Sequence, residues 1–127
     1  MKKIIHSLLL IPFLIGCSTI QKGEDPVIVR AEQAAEIGLL TFDTLFLIEY
    51  QNREWIDANK PEIKDSVNHL RDYAPIAIKS LRASTKEYAM LKTDVSKSNV
   101  IRLTQSVLTG VEDARKMITE IEQKESE

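Results

Sequence analysis

Residues 61–91 read PEIKDSVNHLRDYAPIAIKSLRASTKEYAML. Ile63, Val67, Leu70, Ala74, Ala77, Leu81, Ser84, Tyr88 and Leu91 recur here in steps of four and three. That is the heptad spacing of a helix packed along one seam. The seam keeps its register across Pro75. A proline removes one backbone donor and crowds the preceding turn, so this spacing predicts one kinked helix rather than two helices and a turn. Asn59 followed by Glu62 has the spacing of a capping box at its start.

The same periodicity extends to both sides. Towards the C-terminus, Val100, Leu103, Val107, Val111, Ala114, Ile118 and Ile121 form a second three-four stripe, which predicts a helix over about 98–123. Gly110 inside it costs ~1 kcal/mol relative to Ala, and close helix approach is the simplest reason for it. The polar link 92–96 offers Asp94 or Ser96 as a cap. Towards the N-terminus, Asp25-Pro26 reads as an N-cap followed by proline at the first helical position. No glycine-rich or proline-rich break follows until Lys60-Pro61, so one long helix is expected over 26–58. The expected fold is all-α, an antiparallel up-down-up bundle of three helices, each ~40–50 Å long at 1.5 Å per residue. The first helix is mainly acidic and the second mainly basic, which adds a weak register preference between exposed charges. No strand alternation, hairpin signal or internal repeat appears.

The start of the chain is of a different kind. Lys2 and Lys3 precede an apolar run from Ile4 to Ile15, the layout of a secretory signal. The run is shorter than the ~20 apolar residues of a membrane-spanning helix. Leu14-Ile15-Gly16-Cys17 resembles the lipobox of bacterial lipoproteins, and Cys17 is the only cysteine of the chain. The resemblance covers about the first 18 residues. It implies cleavage between Gly16 and Cys17, acylation of Cys17, and attachment to membrane lipid through more than one acyl chain. Ser18 resembles lipoproteins sorted to the outer membrane of Gram-negative bacteria. The expected organisation is therefore a signal peptide (1–16), the lipidated cysteine with a polar tether (17–25), the helical body (26–123) and a frayed tail (124–127). With its one thiol acylated, the mature chain forms no disulfide, and stability must come from packing. Without Lys2 and Lys3, fifteen basic residues face nineteen acidic ones, a net charge near −4. No block of like charge stands out.

Catalytic signals are sparse. His69 is the one histidine of the mature chain and lies one step off the second-helix seam, which predicts a boundary residue. Phosphate loops and zinc-type motifs are absent from the sequence. Glu32 and Glu36 are spaced like any solvated helix face. No catalysis, metal, cofactor, nucleic acid or small-molecule substrate is expected.

The most suggestive stretch is 37–50, IGLLTFDTLFLIEY, whose apolar residues are not confined to one stripe of a helical wheel. Either this wide arc is all core, packed against both other helices, or Leu39, Phe42, Phe46 and Tyr50 form a second face. Such a face would serve self-association or an envelope partner, as its size and aromatic content suit an interface. Trp55 reads as core or partner contact. Residues 31–55, especially TFDT (41–44) and EYQNR (49–53), resemble small uncharacterised proteins of tailed phages and prophages. The expected function is thus a lipid-anchored, non-enzymatic interaction module in the periplasm. The alternative is a phage-type lipoprotein effector of host lysis or superinfection exclusion. Outer-membrane spanin subunits, which are shorter and proline-rich, fit poorly, since only Pro26, Pro61 and Pro75 follow the cysteine.

Overall fold

The computed structural model describes residues 21–124. The signal segment, Gly16, Cys17 and residues 125–127 lie outside the described residues. The described chain is all-helical, with four helices in the order α1 (Pro26–Gln51), α2 (Arg53–Asn59), α3 (Pro61–Leu91) and α4 (Asp94–Gln123). The three long helices each pack against the other two, and α2 rests mainly on α3.

Their ends meet in a definite way. Asp25, the N-cap of α1, receives the Tyr88 hydroxyl at 3.0 Å and Lys92 Nζ at 2.7 Å, so the start of α1 lies against the end of α3. At the other end of α1, Lys124 donates to Asn52, which brings in the end of α4. Before the N-cap, Glu24 N donates to Gln21 O in a tight turn. Gly23 takes φ +109° there, a conformation only glycine adopts readily.

The expected first helix ends early. Asn52 interrupts it with φ −117° and ψ 16°, and its side-chain amide donates to Ile48 O, four residues back. Asparagine competes with the helix for its own carbonyls in this way. The same habit removes the expected capping box. Asn59 Nδ2 donates to Trp55 O, and α3 starts after Lys60 without a side-chain cap. The last helix starts at Asp94 rather than at 98, because Thr93 caps it by accepting Ser96 N at 3.1 Å. α3 runs unbroken through Pro75.

The α3 seam is buried from Ile63 to Tyr88, joined by Ile78 and Thr85, while Ser84 is half-buried and Leu91 is exposed. From α4, Val100, Val107, Val111, Ala114 and Ile121 enter the core. α1 contributes small residues first (Ala31, Ala34, Ala35, Gly38) and then Phe42 and Leu45. Phe42 lies between two glycines. A Cβ on Gly110 would stand 3.2 Å from the Phe42 ring, and one on Gly38 would stand 3.0 Å from Val107 Cγ1. The glycines give up helix propensity and let α1 and α4 close over the ring.

Candidate functional site

The four residues expected to form one face are placed in three different settings. Phe42 is 2 % exposed and belongs to the core, so its assignment to an interaction face is corrected. Phe46 is half-buried beneath Arg71, whose guanidinium stands 5.1 Å from the ring centroid. Tyr50 is exposed, with Arg53 at 5.4 Å from its ring centroid. Leu39 lies at the edge of the exposed surface, 38 % accessible.

Glu49 explains why two arginines gather here. Its side chain is 3 % exposed. Arg53 reaches it through Nε at 3.1 Å and Nη2 at 3.3 Å, and Arg71 through Nη2 at 2.8 Å. Burial pushes the Glu49 carboxyl upward, but the hydrogen bonds from Arg53 and Arg71 outweigh it and leave its pKa below the usual value. The same two guanidiniums cover the faces of Phe46 and Tyr50, a cation–π arrangement that engages these aromatics inside the chain. The sequence signal was present in Glu49, a charge within an apolar run and four residues before Arg53.

The apolar surface left on α1 lies elsewhere. Leu40 is 71 % exposed and Leu47 57 %, and Ile37 borders them at 38 %. Together with Thr44 these positions recur at three, four and three residues, a strip on the side of the helix away from Phe42 and Leu45. The Thr44 hydroxyl donates to Leu40 O at 2.7 Å, so it is already engaged by its own helix. Asp43 and Glu36 border the strip as exposed carboxylates.

Two open grooves are lined by none of the strip's residues. One, of about 430 Å³ between α1 and α3, is lined by Ala31, Glu32, Glu36, Arg82, Thr85 and Lys86 among others. In the other, exposed His69 stacks on Tyr73, with ring centroids 6.2 Å apart. The Tyr73 hydroxyl is paired with Ser106. Among the described residues no group of three or more His, Cys, Asp or Glu could hold a metal ion. No described helix is long and apolar enough to cross a membrane. Trp55 packs half-buried against the core with Lys124 Nζ 5.8 Å from its ring centroid. Comparison with protein-family models, curated proteins and solved structures finds no match.

Proposed function

We propose that this is a lipid-anchored envelope protein, held by acylated Cys17 and facing the periplasm from the outer membrane, that works by protein–protein contact. It is read as a non-enzymatic module. The three long helices are inferred to run up-down-up as an antiparallel bundle, bent at Pro75 where α3 lacks a donor to the Arg71 carbonyl. The observation that carries the contact reading is the outward strip of Ile37, Leu40 and Leu47. Side chains at such spacing are how one helix offers itself to another helix or to a groove. The arginine-capped aromatics at the end of α1 give the strip a firm boundary.

The test is in-cell photo-crosslinking from probes at Leu40 and Leu47 on the lipidated protein, with buried Leu45 as control. A discrete heavier adduct from the two outer positions and none from Leu45 is the expected result. Mass spectrometry of the adduct then distinguishes self-association from an envelope partner. Folded, acylated protein that yields no adduct from either outer position would remove the contact role from this strip.

A further inference from the structure

We infer that the α3–α4 turn is a membrane-contacting tip that seats Met90, Leu91 and Val95 in the headgroup layer of the bilayer holding the anchor. The inference rests on the reading of Cys17 as the lipidation site and extends it to the folded body. Met90, Leu91 and Val95 are 69, 57 and 74 % exposed. Three large apolar side chains thus stand in solvent within six residues. At the opposite end Tyr50 is exposed beside the Arg53 guanidinium, and residues 51–61 add no exposed large apolar side chain.

The exposure is built in rather than incidental. Lys92, between Leu91 and Thr93, is held at φ 51° and closes α3 through its N–H to Tyr88 O. Its ammonium is anchored on Asp25 and stands 4.7 Å from the Tyr88 ring centroid. On the other side of the turn, Thr93 Oγ1 accepts Ser96 N and Ser96 Oγ donates to Thr93 O, with Ser96 buried. Both flanks are therefore fixed, and the three apolar side chains cannot fold back without breaking them.

The anchor end of the chain supplies the occupant. The Asp25–Lys92 and Asp25–Tyr88 bonds hold the start of α1 against this turn. Gln21 follows Cys17 by only four positions, and a chain of that length reaches at most ~14 Å. A diacylated Cys17 thus keeps the turn at the bilayer surface, while α1 carries its far end ~40 Å away. Charge selects the mode of contact. Residues 21–25 and 86–97 carry four lysines and four carboxylates. A balanced surface gains little from anionic lipid, so insertion of apolar side chains is the driving term.

Acylation consumes the only native thiol, so single cysteines at Leu91, Val95 or Ala58 can carry a nitroxide on the intact lipidated protein. The measurement is spin-label accessibility in phosphatidylcholine vesicles, with and without phosphatidylglycerol. Labels at 91 and 95 are expected to show several-fold higher oxygen-to-nickel accessibility ratios than the label at 58, equally in both vesicle types. Protein that floats with vesicles but shows equal ratios at all three sites overturns the tip and leaves the anchor intact. Dipolar broadening at 91 without a raised ratio also overturns it, in favour of a second copy covering the turn. Mature protein whose mass shows no acyl chains, and which does not float, overturns the anchor reading and the tip with it.

Discussion

Lys92 does the work usually given to glycine. A residue just past a helix end commonly takes the left-handed conformation, and glycine is favoured there because any Cβ costs ~1–2 kcal/mol. Here the side chain offsets that cost by bonding Asp25 at 2.7 Å and covering the Tyr88 ring. Truncation and backbone relief can therefore be separated. Lys92→Ala keeps the strained backbone and loses the contacts, whereas Lys92→Gly loses the contacts and the strain together. Lys92→Gly is expected to be more stable than Lys92→Ala by ~1 kcal/mol, with wild type above the alanine variant. Urea unfolding of the three proteins measures this. Equal midpoints for the two variants would show that the φ of 51° carries no cost here. Position 92 also shows what a residue-by-residue reading misses. Nothing in Leu-Lys-Thr-Asp announces a left-handed lysine, because its partner Asp25 is 67 positions away in sequence.

At the scale of helices, the sequence was most legible where periodicity is strongest. The α3 and α4 stripes are set by repeated apolar spacing, and their buried residues follow it closely. Legibility fails where short polar side chains interact with their own backbone. Asn52 and Asn59 each bond the carbonyl four residues back, an alternative that hydrophobic patterning does not register. It also failed on α1. An apolar arc on a wheel cannot tell core from surface when a buried carboxylate replaces an apolar residue on the core side, as Glu49 does. The contact of α1 with α4 rests instead on volume. The Phe42 ring occupies the space left by Gly110, and an added methyl there would meet the ring at 3.2 Å. Gly110→Ala alone gains up to ~1 kcal/mol of helix propensity but must displace that ring. In a Phe42→Leu background the ring edge is gone. The two substitutions are therefore expected to be non-additive by ~0.5–3 kcal/mol, with Gly110→Ala more favourable in the Phe42→Leu background than beside the native ring. A thermal-denaturation double-mutant cycle reads the coupling directly. Additivity would mean that the helices shift apart at no cost, contrary to close packing around Phe42.

For the molecule as a whole, the two ends of α1 are held by carboxylates of unlike burial but like sign of response. At one end the hydrogen bond from Lys92, with those from Val27 N–H and the Tyr88 hydroxyl, holds Asp25 at a pKa of about 2 against its own desolvation. At the other, Arg53 and Arg71 hold Glu49 below the usual value despite its burial. Each carboxyl therefore binds a proton more weakly in the folded chain than in the unfolded one. The unfolded chain takes up protons first as pH falls, near ~4 for both residue types, so stability declines on the acid side. The contribution of each pair is fully present above that unfolded value and is lost as pH drops through the folded one. Wild-type Tm is expected to be nearly flat from neutral pH to about 5 and to fall steadily towards pH 2. Asp25→Asn and Glu49→Gln each remove one carboxyl and keep its shape. Both should start with a lower Tm at pH 7 and lose less on acidification, so that their curves approach wild type near pH 2. Circular dichroism melts across this range measure the convergence. Curves that run parallel to wild type would mean that the clamps at the two ends of α1 do not depend on ionised carboxylates. The short bonds from Lys92 and Arg71 would then have to act through shape alone. With Asp25 the comparison carries a positional consequence, since its bonds join the start of α1 to the turn bearing Met90, Leu91 and Val95. Because Asp25 stays ionised in the folded chain until pH about 2, its bonds hold that turn to the start of α1 while stability declines. In the spin-label measurement, the label at 91 should therefore gain no more mobility than the label at 58 as pH falls from neutral to ~3, and a selective gain at 91 would show that the clamp releases at a higher pH.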